Sequence, residues 1–297
     1  MKENIYSLAT ANILDQSTLK PALTWRIKEH VEFSESSGFS GVEVWPQGPI
    51  RMQIDMNRIS EKEKKGITSV HQAASFGFRK AFPSKRELQK AVFLPETNAS
   101  LYHLEKLNKV LKREIPAVLF SGLPKGYMEI SSYKERGIQT SPELCSEIGA
   151  QNASEFLEAV MEMGYTNVVI DTHHIRHPNV YTGEENPLRN WQESFQVLLP
   201  KVNEIHVGLG RADFGKLDPK IVKEELFDFL EGGSRNTEVI RMLRSVSETG
   251  WRGLVVLELR PSAIKDALGQ KGFQLSRDNY KTSVERMRNT LYSIFDR

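Results

Sequence analysis

The sequence predicts a (β/α)8 TIM barrel spanning residues 1–297 as a single domain. Three observations carry that expectation. Short β-branched runs alternate with longer helical patterns from end to end, eight such runs can be counted, and no low-complexity tract or linker divides them. Runs this short and apolar, bounded by turn residues, read as strands of a parallel sheet buried on both faces.

In chain order, residues 5–11 form a weak first strand, and 21–37 a helix with Leu23, Ile27, Val31 and Phe33 at helical spacing. Strands are expected at 41–45, 67–71 and 115–120, with a helix over 99–114 before the last. A weaker fifth strand is placed at 137–141. A helix over 153–163 follows, with Asn152 or Ser154 as its cap and Gly164 as its stop. Strands at 167–171, 202–207 and 254–259 complete the eight. Helices over 193–202, 219–230, 237–249 and 279–295 fill the second half. Residues 122–136 are short and rich in Gly, Pro and Ser, so the fourth β/α unit is expected to be reduced. A doubly wound sheet is the alternative architecture.

Composition narrows the class of function. With Lys+Arg 40 against Asp+Glu 38, the formal charge of +2 disfavours a nucleic-acid partner held by phosphate neutralisation. Cys145 is the sole cysteine, which excludes an internal disulfide and thiolate-rich zinc or iron–sulfur sites. No apolar run reaches the ~18 residues of a membrane span. The polar, acid-bearing start Met1-Lys2-Glu3-Asn4 is unlike a secretory signal, so a cytoplasmic location is expected.

The informative pattern lies where the apolar runs end. Glu43, His71, Asp171, His206 and Glu258 each interrupt or follow a strand near its carboxyl end. A charge there is expensive unless it has a partner or a ligand. In a parallel barrel those ends converge on one mouth. The set then supplies oxygen and imidazole donors suited to Mn²⁺, Mg²⁺, Co²⁺ or Zn²⁺. Each residue also has a structural reading. Asp171 fits an Asx-turn, His71 a satisfied core histidine, and Glu258 an ion pair with Arg252 or Arg260. Glu43 is expected to pair with a cation at the rim, outside the ligand set. Gly208-Leu209-Gly210 lacks the full dinucleotide fingerprint, and Glu61-Lys62-Glu63-Lys64-Lys65 reads as a solvated face.

Taken in order, Gly38-Phe39-Ser40-Gly41-Val42-Glu43-Val44-Trp45, Val70-His71, Ile170-Asp171-Thr172-His173-His174, Glu204-Ile205-His206 and Gly250-Trp251-Arg252-Gly253-Leu254-Val255-Val256-Leu257-Glu258 resemble the xylose isomerase-like TIM barrels. That group includes sugar isomerases, epimerases, dehydratases and endonuclease IV. The resemblance implies a single divalent ion held by strands five to eight. Asp171, His206 and Glu258 occupy three of those positions, and Gln139 falls near the fourth, with Glu143 as the alternative if the register shifts. It also places His174 and Arg211 where substrate oxygens are contacted, and makes Glu258 the proton-shuttling base, with His71 beside the ligands or a substrate hydroxyl.

The expected activity is therefore a metal-dependent isomerase, epimerase or related lyase on a small sugar-like polyhydroxy carbonyl compound, with a homo-oligomer allowed. Gln139 in place of a carboxylate argues against two opposed bases and favours one-base isomerisation or dehydration. A ligand-binding barrel without chemistry is the second reading. An abasic-site nuclease is disfavoured, because the fourth strand ends Leu119-Phe120-Ser121, no histidine pairs with Asp213, and the fifth-strand glutamate is missing at position 139.

Overall fold

Eight parallel strands close into a barrel in strict sequence order, β1 through β8. They are β1 (Ile5–Ala9), β2 (Gly41–Val44), β3 (Ile67–His71), β4 (Ala117–Phe120), β5 (Thr140–Glu143), β6 (Val168–Asp171), β7 (Val202–Leu209) and β8 (Leu254–Leu259). The computed structural model describes residues 3–9, 27–44, 60–71, 105, 108, 117–120, 138–143, 152–162, 164–176, 190–209, 219–259 and 277–296. β8 returns to β1 through the register Ile5↔Leu254 to Leu8↔Leu257. That closure replaces the doubly wound alternative, whose sheet would keep two open edges. The expected reduction of the fourth unit falls at 122–136, outside the described residues.

Alternation along each strand separates two environments. Tyr6, Leu8, Val168, Ile170, Ile205, Val207, Leu209, Val255, Leu257 and Leu259 join one apolar cluster with the helices. Each such buried side chain contributes about 1.5–3 kcal/mol. The opposite parity points into the barrel. Ala9, Leu254 and Val256 form a small apolar cluster there, and Ile67 is fully buried. Beside these the interior is polar, with Glu43, Ser69, His71, Glu143, Asp171, Glu204, His206 and Glu258 all buried.

The helices supply the outer wall. α1 (Ile27–Ser36) buries Ile27, Val31 and Phe33. α2 (Glu61–Lys65) has no buried residue and opens with a capping box, in which Ser60 and Glu63 satisfy each other's backbone N–H. It is the solvated charge run read from the sequence. α3 (Ala153–Glu162) is capped by Asn152, whose Oδ1 accepts from the Glu155 N–H at 3.0 Å. Gly164 follows at φ +90°, a left-handed turn that an L side chain would strain. α4 (Trp191–Leu198), α5 (Pro219–Leu230), α6 (Glu238–Glu248) and α7 (Arg277–Phe295) follow. Among the described residues, no helix is long and apolar enough to cross a membrane.

One strand differs from its expected position. β5 runs Thr140–Glu143 rather than 137–141. Thr-Ser-Pro-Glu lacks a β-branched run, and Pro142 has no N–H to donate, so the segment does not look like a strand. It is held by its neighbour instead, in register from Ala117↔Thr140 to Phe120↔Glu143 on β4.

Candidate metal centre

His206 sits inside the barrel on β7 with carboxylates at both ring nitrogens. Its Nε2 lies 3.1 Å from Glu204 Oε1 and 3.2 Å from Glu43 Oε2. Its Nδ1 lies 3.2 Å from Glu258 Oε1 and 3.7 Å from Glu143 Oε1. The other oxygen of Glu143 is 3.0 Å from His71 Nε2. Register explains the gathering. Asp171 pairs with His206, Gly208 with Glu258, and Glu43 with Ser69, so these side chains share the inner face. Three triads of donor atoms each fall within 4.8 Å: His71–Glu143–His206, Glu43–Glu204–His206 and Asp171–His206–Glu258.

Asp171 is positioned by its own turn. Its Oδ1 accepts from the His173 N–H at 2.6 Å, and Thr172 N–H donates to the His206 carbonyl at 2.9 Å. The Asx-turn and the ligand position thus coexist in one side chain. Gly208 makes room for it, because a Cβ there would lie 3.0 Å from Asp171 Oδ1 and 2.9 Å from His173 Cβ. Beyond the turn, Arg176 donates to the Thr172 carbonyl and, through both Nη atoms, to the Glu225 carboxylate of α5.

Electrostatics follow from burial. For His206, burial alone would lower the pKa, but the charge of Glu43 and the surrounding carboxylates outweigh it and hold the group well above its ordinary range. Burial likewise works against protonation of His71, and Glu143 with Glu43 raises its pKa despite this. Glu204 moves the other way from a normal acid. Desolvation, reinforced by the nearby charge of Glu43, pushes it up to about 7 against the pull of His206.

These residues fit a divalent ion. The donors are carboxylate oxygens and imidazole nitrogens, the set that hard and borderline cations take. Nδ1 of His206 is buried and makes no hydrogen bond among the described residues, yet it faces two carboxylates. A buried ring nitrogen left this way is costly unless a proton or a cation meets it. Asp171, His206, Glu258 and Glu143 would hold that ion.

The sequence-derived set is therefore partly redrawn. Asp171 and Glu258 share one donor group with His206, and His71 stands in another with it. Gln139 does not join them: it precedes β5, four residues before Glu143, or about 13 Å back along an extended chain. Glu143 stands at the strand's carboxyl end in its place. A carboxylate therefore ends the fifth strand, where Gln139 had been expected. Glu43 is not a rim residue either; it is fully buried against His206. Glu204 escaped notice, although it lies two residues before His206 and so shares its face of the strand. Arg252, offered as a partner for Glu258, instead donates to the Trp251 carbonyl. His174 opens a short 3-10 turn, His174–Arg176. Its side chain, with Arg211 and Arg260, lies outside the described residues.

No protein-family model and no curated protein matches the chain. Among solved structures, it resembles the crystal structure of the probable 3-DHS dehydratase AsbF, involved in petrobactin synthesis, from Bacillus anthracis. The TM-score is 0.51 at 16% identity, covering 96% of this chain and 99% of that one. The crystal structure of AsfvAP:AG gives a TM-score of 0.53 at 14% identity over 99% of both chains. The apo form of 3-keto-D-glucoside 4-epimerase, YcjR, from E. coli gives 0.47 at 11% identity, covering 90% of this chain and 98% of that one. What the chain shares with the first two is the fold, a parallel β/α barrel.

Proposed function

We propose that the chain is a metal-dependent isomerase, epimerase or related lyase acting on a small polyhydroxy carbonyl compound. One observation carries the reading: Glu143, Asp171, His206 and Glu258, from four consecutive strands, meet in one buried interior. The bound ion would supply Lewis-acid polarisation of the substrate carbonyl and its neighbouring hydroxyl.

The chain's own groups divide the remaining work. Glu258 takes the proton from the carbon beside the carbonyl, and the C–H electron pair moves toward the carbonyl oxygen. Return of that proton to the former carbonyl carbon, as the neighbouring hydroxyl passes its own proton to the old carbonyl oxygen, completes an isomerisation. Loss of a β-hydroxyl, which takes that proton from Glu258 and leaves as water, instead completes a dehydration. Glu143 approaches the same Nδ1 as Glu258, at 3.7 Å against 3.2 Å, so a second carboxylate is at hand to deliver a proton in an epimerisation. His71 holds Glu143 through the 3.0 Å contact. His174 would hydrogen-bond the reacting oxygen, and Arg211 would orient a polyol oxygen or a carboxylate.

The test begins with the metal. Purified protein is analysed for bound Mn, Mg, Co and Zn beside Asp171→Ala and His206→Ala, then assayed on ketoses and polyols with each ion added. Wild type is expected to retain a divalent ion that both variants lose, and to turn over a substrate only when loaded. A wild type that binds no divalent ion, or gains no activity with any of them, overturns the reading.

A further inference from the structure

The cage holds a carboxyl group outside the proposed ion site, although it forms a donor group of its own with Glu43 and His206. Glu204 points inward one layer below His206, 1% exposed. Its register neighbours at that level are Val169 on β6 and Leu254 on β8, both apolar. An aliphatic side chain would therefore suit the layer, and a carboxyl there costs free energy unless it is engaged. It is engaged through one oxygen. Oε1 takes the Ser69 hydroxyl at 3.0 Å and stands 3.1 Å from His206 Nε2. Ser69 also reaches Glu43 Oε2 at 3.2 Å, so one hydroxyl ties together the two carboxylates that face Nε2.

An imidazole that ligates a cation has one nitrogen for the ion and one N–H for a partner, and that partner decides which is which. Here the acceptors below the ring crowd Nε2, while the carboxylates of the ion site face Nδ1. We propose that Glu204, backed by Ser69 and Glu43, is a positioning residue that takes the Nε2–H of His206 and so presents Nδ1 to the cation. The inference rests on the metal reading above and adds to it a direction of ligation and a residue responsible for it.

Two measurements test it. Protein labelled with ¹⁵N-histidine and loaded with Zn²⁺ is read for the site of the remaining ring proton, with His206→Gln identifying the resonance. The proton is expected on Nε2; finding it on Nδ1 overturns the proposal. Zn²⁺ and Co²⁺ affinities and the Co²⁺ visible spectrum are then compared for wild type, Glu204→Leu and Glu204→Gln. Leucine removes the hydrogen-bonding acceptor, leaving only Glu43 near Nε2, and is expected to weaken binding roughly 10–100-fold and shift the Co²⁺ bands. Glutamine keeps a carbonyl acceptor and is expected to restore most of the affinity and the wild-type spectrum. Equal affinity in wild type and Glu204→Leu, or equal loss in both variants, overturns the proposal. Should Glu204→Leu not fold, the wild-type proton position alone decides. A wild type that binds no ion refutes the metal reading itself, a distinguishable failure.

Discussion

Asp171 and Gly208 face each other across the β6–β7 seam so closely that a single added carbon at 208 would press on the aspartate carboxylate. The spacing is 3.0 Å from the ideal Cβ to Oδ1, and the His173 Cβ at 2.9 Å closes the other side. Gly208→Ala is therefore expected to displace Asp171 while keeping the barrel. Divalent-ion affinity measured by calorimetry should fall about tenfold, the scale on which ligand-supporting contacts act. Overpacking should cost about 1–3 kcal/mol in thermal denaturation. Unchanged affinity would mean that Asp171 is not a ligand.

Loading the centre should stabilise the fold through mass action. At an ion concentration about 1,000 times Kd the gain is about 4 kcal/mol. For a chain of this size that corresponds to roughly 5–7 °C in Tm. Chelation is expected to lower the Tm of wild type by that amount and to leave His206→Ala unmoved. An equal response in both proteins would place the ion elsewhere.

Removing the ion should also reverse the pH response. Its carboxylate neighbours outweigh burial and raise the pKa of His206, while burial raises that of Glu204 to about 7. An imidazole whose folded pKa exceeds its unfolded value near ~6.5 stabilises fully below that pH, and the gain is lost as pH rises through the folded pKa. Glu204 binds its proton more tightly folded than unfolded, so it acts in the same direction between about 4.3 and 7. The Tm of metal-free protein should therefore fall from pH 6 to pH 9, less steeply in His206→Gln. Ion binding, which must displace the His206 proton, should tighten over the same interval. A flat or rising metal-free profile would contradict the charge arrangement.

Arg176 anchors the turn that follows Asp171 by joining the Thr172 carbonyl to Glu225 on α5. Both side chains of the pair are nearly sealed from solvent, at 3% and 8% exposure. Arg176→Ala leaves a buried carboxylate without this partner and is expected to cost about 3–5 kcal/mol by chemical denaturation. The double variant Arg176→Met with Glu225→Leu should recover most of that loss. No recovery would show that the arginine acts through the Thr172 carbonyl rather than through the ion pair.

Much of the barrel was legible because its signals are local. The β-branched runs ending in Asp171, His206 and Glu258 mark both a strand and its functional end, and Asn152 and Gly164 bracket α3 as caps do. Two parts of the site were hidden for different reasons. Thr140-Ser141-Pro142-Glu143 carries no strand signature, since its pairing is imposed by β4, and so Glu143 was displaced by Gln139 in the linear reading. Glu43 and Glu204 contradict the rule that barrel interiors are apolar. Only the closed circle, which sets β2 against β7 across the interior, shows that the two carboxylates share His206 and the Ser69 hydroxyl. Such contacts join residues 135 positions apart, as from Ser69 to Glu204, and no window of sequence contains both.

Leu254 and Val256, in register with Glu204 and His206, set apolar side chains beside the carboxylates inside the barrel. Apolar surroundings screen charge weakly, so each carboxylate there acts strongly on His206 and on any cation drawn into the interior.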